Sequence, residues 1–204
     1  YWVQVDGKNG ASGEVQFHWG QVPANDDLGN STALSGTSGS KAGTNVEATV
    51  QPGEAATIAT VPTGWSVWYR YTPANTGWFQ VDTCGSDFDS TLAAYSGTSF
   101  PTLVSVAEND DGAGCGLQSK IGFPVTAGST YRIAVDGFFG GTGAISLQWS
   151  LVPRAPTIGT VTRANGSLSV AFTPPVGAGA SPITSYAATC TSTDGGTTGT
   201  QTGT

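Results

Sequence analysis

The sequence predicts an all-β chain: an antiparallel jelly-roll-like β-sandwich, a partial immunoglobulin-like β-domain after it, and an orphan N-terminal hairpin before it. Three observations carry this. Short segments alternate apolar and polar residues with a period of two, and none shows helical periodicity. Charged residues are only 10% of the chain against a usual quarter, so its polar surface comes from Thr, Ser, Asn, Gln and 30 Gly. A long-period internal repeat sets the domain boundaries.

The repeat appears when the first 23 residues are laid over Tyr131–Pro153. "YWVQVDGKNGASGEVQFHWGQVP" then matches "YRIAVDGFFGGTGAISLQWSLVP" at nine positions without a gap. The matches include Asp6 with Asp136, Gly7 with Gly137, Gly10 with Gly140, and Trp19 with Trp149. Both copies read as a β-hairpin around a Gly-rich turn that tolerates positive φ. Residues 1–22 are therefore expected to be the closing hairpin of a preceding repeat, 23–152 a complete sandwich, and 153–204 the truncated start of another β-domain.

Within 23–152 the first forty residues are turn-rich, with short strands expected near Ser31–Leu34, Val46–Val50 and Thr57–Val61. From Trp65 the pattern sharpens. "WSVWYRYT" sets Trp65, Val67, Tyr69 and Tyr71 on one face and Ser66, Trp68, Arg70 and Thr72 on the other. "GWFQVDT", "STLAAYSG", "TLVSVAEND", "SKIGFPV", "TYRIAVDG" and "GAISLQWSLV" follow as strands separated by turns. This many short strands indicates a sandwich. Beyond Val152, strands are expected at Thr157–Arg163, Ser167–Thr173 and Ile183–Thr191.

The chemistry concentrates in two acidic loops. "DTCGSDFDS" holds Asp82, Asp87 and Asp89, and "ENDDGAGCG" holds Glu108, Asn109, Asp110 and Asp111. Each loop also carries a cysteine. A Cys84–Cys115 disulfide would staple the loops side by side and crowd their carboxylates; the alternative is two reduced, buried thiols. An odd count of cysteines leaves Cys190 without a partner in the chain. Crowded carboxylates are relieved by water or by a cation, and calcium takes about 6–8 oxygen ligands of these types. Asp87, Asp89, Asn109, Asp110 and Asp111 are thus candidate calcium ligands, against the plainer reading of solvated turn residues.

Catalysis is not expected. The one histidine, His18, falls on the outward side of the first hairpin, where the second copy has Gln148, so no Ser–His–Asp or Cys–His arrangement forms within a complete domain. The net charge of −7 argues against nucleic acid and anionic membrane surfaces. The apolar runs are too short for membrane insertion. Trp65 and Trp149 are expected in the core. Trp68, with polar neighbours on its face, is the candidate for an exposed ligand-binding aromatic, as is the pair Phe138–Phe139 at a hairpin tip where the first copy has Lys8–Asn9.

"SVWYRYTPANTGWFQVDTCGSDFDSTLAAYSG", followed by "VAENDDGAGCGLQSKIGFPVTAGSTYRIAVDG", resembles the bacterial pre-peptidase C-terminal domain over most of residues 25–150. "APTIGTVTRANGSLSVAFTPP" and "SPITSYAATC" resemble the opening of a fibronectin type III domain, with Phe172 where many such domains carry a strand Trp. The resemblance implies a secreted or cell-surface bacterial accessory module placed beside neighbouring domains of the same chain. It also implies that Asp89 and the Asn109–Asp111 loop are the positions for metal. "QPGE" looks like that family's "EPGE", with Gln51 replacing the first acid and Glu54 retained. The expected role is spacer, adhesion or substrate anchoring with calcium stiffening. The rivals are a module that binds a glycan or protein polymer for a secreted hydrolase, and an assembly subunit working by strand addition.

Overall fold

The computed structural model describes residues 2–16, 20–164, 167–191, 193 and 197–203. Nine of its strands build a sandwich. Five form one sheet: β1 (Thr32–Leu34), β5 (Val67–Tyr71), β7 (Ser90–Ser96), β8 (Val104–Asn109) and β10 (Tyr131–Gly137). Four form the other: β2 (Ser38–Thr44), β6 (Gly77–Asp82), β9 (Lys120–Val125) and β11 (Ala144–Val152). Their orders, β1-β5-β10-β7-β8 and β2-β11-β6-β9, are those of a jelly roll, in which the chain crosses repeatedly between the two sheets. All pairings within these two sheets are antiparallel except β1 with β5.

The expected alternation explains the core. Val67, Tyr69 and Tyr71 of β5, Phe79 and Val81 of β6, Ile121 and Phe123 of β9, Ile133 and Val135 of β10, and Leu147 and Leu151 of β11 fill the space between the sheets. Tyr71 stacks on Phe79 with ring centroids 4.0 Å apart, and Phe79 meets Phe123 edge-on at 5.7 Å. Each fully buried side chain of this size contributes about 1.5–3 kcal/mol.

The five-stranded sheet is covered on its outer face as well, and this corrects two expectations. Trp68 is not exposed: 2% of its surface reaches solvent. It packs with Leu28, Ile58, Ala93, Tyr95 and Ala134 in a second apolar cluster, with Phe100 against its ring edge. The turn-rich segment before β5, read from sequence as loop, is folded over this face as a covering layer. Trp65 is not core: it precedes β5 and is 41% exposed.

Two further departures have local causes. Val46–Val50 carries no strand, and Val46 and Val50 are exposed. The strand lies instead at Ser38–Thr44, which has almost no apolar residue to signal it. Its glycines are steric necessities, since a Cβ on Gly39 would sit 2.5 Å from the Trp149 ring and one on Gly43 2.6 Å from the Tyr69 hydroxyl. Thr57–Val61 resolves into a miniature hairpin, β3 (Thr57–Ile58) with β4 (Val61–Pro62), whose turn residues Ala59 and Thr60 both have positive φ.

Residues 2–16 and 20–22 carry no strand, so the first copy does not form the expected ladder among the described residues. Val3, Val5 and Val15 are exposed, and a lone two-stranded ribbon has no face to bury. Its turn nevertheless repeats the second copy. Lys8–Gly10 and Phe138–Gly140 share one geometry, with Asn9 at φ 58° and Phe139 at φ 45°, each followed by a glycine at positive φ. The readings of Tyr1, Phe17, His18 and Trp19 lie outside the described residues. Beyond Val152, β12 (Thr157–Ala164) pairs with β13 (Ser167–Thr173), and β14 (Tyr186–Cys190) with β15 (Gly199–Gly203). Phe172 meets Tyr186 with centroids 4.7 Å apart.

Fastening of the covering layer puts a carboxyl in an apolar place. Asn25 exchanges backbone and side-chain hydrogen bonds with Trp68, and Asp26 accepts from the Thr49 amide and hydroxyl. Glu54 accepts from the Gln51 amide and the Ser66 hydroxyl. Burial, then the nearby Asp136 and Asp26, push the Glu54 carboxyl up to about 7. A carboxyl raised in the folded state favours folding while protonated, so its contribution is complete below the ordinary value of 4.5 and is lost as pH rises toward about 7. Glu54→Gln is therefore expected to flatten the stability profile between those limits and to exceed the parent in stability at pH 8, measured by denaturant unfolding. A parent-like slope in the variant contradicts this.

Candidate metal centre

The acidic loops meet at one end of the five-stranded sheet. Asp89 immediately precedes β7, and Asp110 and Asp111 follow β8, its antiparallel neighbour, in which Asn109 pairs with Leu92. One carboxylate oxygen from each of Asp89, Asp110 and Asp111 lies within 4.8 Å of the other two. Asp89 Oδ1 and Asp110 Oδ1 are shielded from solvent and have no hydrogen-bond partner. Desolvation, followed by the mutual repulsion of these acids, raises the Asp89 and Asp110 carboxyls above their ordinary value.

Three buried hydroxyl residues hold this arrangement. Thr83, Ser90 and Ser119 are each fully buried. The Thr83 and Ser90 hydroxyls lie 2.7 Å apart, and the Ser119 amide donates to Thr83 Oγ1 at 3.0 Å. The Thr83 amide donates to the Ser119 carbonyl at 2.9 Å. The Ser119 hydroxyl stands within donating reach of the carbonyls of Ser90, Asn109 and Asp110. A donor with one proton satisfies one of them at a time, so it sits at the junction of the two acidic loops. Asn109 Nδ2 donates to the carbonyls of Asp111 and Lys120, at 2.9 and 3.0 Å. Gly112 passes so close that a Cβ would stand 2.8 Å from the Lys120 amide nitrogen.

The Cys84–Cys115 disulfide joins the same loops, with Cα atoms 5.0 Å apart and a sequence separation of 31. A closed loop of that length is worth about 3–4 kcal/mol in the chain-entropy account. Asp82 lies near both sulfurs, but these are bonded to each other and offer no thiolate ligand. Cys190 is free and exposed.

The structure brings together Asp89, Asp110 and Asp111, with Asn109 bracing the loop behind them. It leaves Asp87 apart: Asp87 Oδ1 accepts from the Ala144 amide at 2.7 Å and fixes the start of β11. Phe138 and Phe139 stand at the β10–β11 tip, 36% and 72% exposed, in a T-shaped pair with centroids 4.7 Å apart. Trp65 lies over Gly140 of the same turn, where a Cβ would meet its ring at 2.6 Å. Trp65, expected in the core, stands here instead, and Thr83, Ser90 and Ser119 carry no site expectation from the sequence. The signal for the hydroxyls was their adjacency to the acidic loops, which resembles ordinary strand-end composition.

The geometry gathers three carboxylates into a candidate oxygen-donor group on a disulfide-stapled jelly-roll sandwich. No protein-family model matches the chain, and no curated protein matches it.

Ser119→Ala removes a buried donor shared by three carbonyls of the two acidic loops. It is expected to lower stability by about 1–3 kcal/mol with the disulfide intact, measured by urea unfolding followed through tryptophan fluorescence. A loss within error of zero would show that the hydroxyls do not hold the loops.

Proposed function

We propose that this chain is a non-catalytic, extracellular β-sandwich module of a secreted or surface multidomain bacterial protein, of the pre-peptidase C-terminal type. In this reading it is followed by fibronectin type III-like sequence and serves as a spacer and anchoring domain stiffened by calcium. The carrying observation is the pair of orphaned, shielded carboxylate oxygens, Asp89 Oδ1 and Asp110 Oδ1, converging with Asp111. Three acids gathered together, with burial and mutual repulsion raising Asp89 and Asp110 and no basic partner among the causes, are an unfavourable arrangement that a divalent cation relieves. The donor set is all oxygen, which suits calcium rather than zinc or copper. Asp89, Asp110 and Asp111 would hold the ion, which would supply charge neutralisation and loop rigidity.

The remaining parts of the reading have separate supports. The disulfide suits an oxidising compartment. Residues 23–152 contain no histidine, which removes the commonest general base from the sandwich. Neighbouring domains of the same chain are the natural partners of a spacer. Anchoring to an extracellular polymer is favoured by the exposed Phe138–Phe139 tip.

Thermal unfolding in calcium chloride and in excess chelator tests the metal. Calcium is expected to raise the melting temperature by several degrees, since a ligand at 100 times its Kd adds about 2.7 kcal/mol. Asp110→Asn should abolish the difference while leaving the chelated protein at least as stable as the parent. Identical melting of the parent in both conditions overturns the proposal.

A further inference from the structure

Strand register places the aromatic tip and the acidic group in one row. β5 pairs with β10 at Val67–Val135, β10 with β7 at Gly137–Ser90, and β7 with β8 at Leu92–Asn109. Trp65 lies two residues beyond Val67, and Phe138, Asp89 and Asp110 lie one residue beyond Gly137, Ser90 and Asn109, so the four stand on successive strands at one end of the sheet. The Phe138 amide donates to the Asp89 carbonyl at 2.9 Å, which locks the second and third positions together. Adjacent strands lie about 4.8 Å apart, so the row extends about 14 Å.

We infer that this row is a binding platform for a neutral polysaccharide, with Trp65, Phe138 and Phe139 receiving the C–H faces of sugar rings and the exposed Asp111 carboxylate beside them receiving hydroxyls. This deepens the anchoring role proposed above and rests on it.

Four observations select the platform and its occupant. First, the fold does not require aromatics here. The same turn in the first copy has Lys8 and Asn9, and Asn suits the left-handed conformation that Phe139 adopts at φ 45°. A bulky residue kept in that conformation and 72% exposed is a cost without a packing return. Second, Trp65 and Phe138 are held by their backbones: the Trp65 amide donates to Asp136 Oδ1 and the Phe138 amide to the Asp89 carbonyl, and the Trp65 ring lies against Gly140. Rigid rings lose little entropy on binding. Third, aromatic faces carry negative π density that meets polarised C–H groups, and the adjoining carboxylate accepts O–H donors through charge-assisted bonds. A neutral polyol offers both groups, whereas an anionic polymer is repelled by a chain of net charge −7. Fourth, the row is made of strand ends, not a strand edge, so it offers no ladder of backbone groups for an extended peptide.

Isothermal titration of the whole chain with cellohexaose, xylohexaose, maltohexaose and chitohexaose tests this, with heparin and gelatin as anionic and protein comparisons. At least one neutral hexasaccharide is expected to bind saturably. Phe139→Asn, which installs the residue of the first copy, should weaken that binding at least about tenfold while the melting temperature stays equal or rises. Trp65→Ala should weaken it similarly. Lack of binding to every neutral glycan, binding to gelatin or heparin alone, or glycan binding unchanged in Phe139→Asn each overturns the inference. The calcium-dependent melting shift is read independently of all of these, so loss of the glycan site does not by itself remove the stiffened-module reading.

Discussion

The candidate site depends on a junction of three small buried hydroxyls. Thr83 and Ser90 stand at the two ends of the β6–β7 loop and Ser119 at the end of the β8–β9 loop, and their mutual hydrogen bonds bring together the ends of β6, β7, β8 and β9. Without that junction, three carboxylates would not stay in one place, because their repulsion drives them apart. The disulfide acts on the same loops from the unfolded side, by limiting how far they separate. The hydroxyls act in the folded state by fixing where the loops meet. Together they let Asp89 Oδ1 and Asp110 Oδ1 remain shielded and unpartnered, an arrangement a mobile loop would relax by turning outward.

The same end of the sheet also orders the aromatics. The central part of the five-stranded sheet, strands β5, β7 and β10, is buried on both faces, by the opposite sheet within and by the covering layer outside. Its strand ends are then the surface it has left to present. Trp68 sits mid-strand and is drawn under the covering layer, whereas Trp65, only three residues earlier, projects past the strand and over Gly140. Position along the strand decided their fates, not the company each keeps in an alternating pattern.

That contrast explains what was legible in the sequence. Alternation identified the strands of the inner core because both sheets bury one face of each, and β5 through β11 lie within a residue or two of their expected places. The Cys84–Cys115 pairing and the adjacency of Asp89 with Asp110 and Asp111 were legible because one cysteine stands in each acidic loop. The twin turns were legible as an internal repeat with glycines suited to positive φ, whereas the positive φ of Asn9 and Phe139 before them was not. Alternation does not reveal a second covering layer, so Trp68 read as exposed. Nor does it reveal β2, whose small residues answer to the Trp149 ring above them. Asp87 read as a ligand because spacing in a nine-residue loop does not say which carboxylate turns toward β11. Ser119 was illegible because a serine that joins three carbonyls looks, in one dimension, like a serine at a strand start.

The central claim is that the acidic loops are held in place before any ion or sugar arrives. Residue-resolved amide hydrogen exchange on the calcium-free protein tests it most directly. Thr83, Gly112 and Ser119 donate their amides to the carbonyl of Ser119, the carbonyl of Gln118 and the hydroxyl of Thr83. These three are expected to exchange as slowly as core amides of β6 and β10. Exchange at the rate of exposed loops, with protection gained only on adding calcium, would contradict a preformed site.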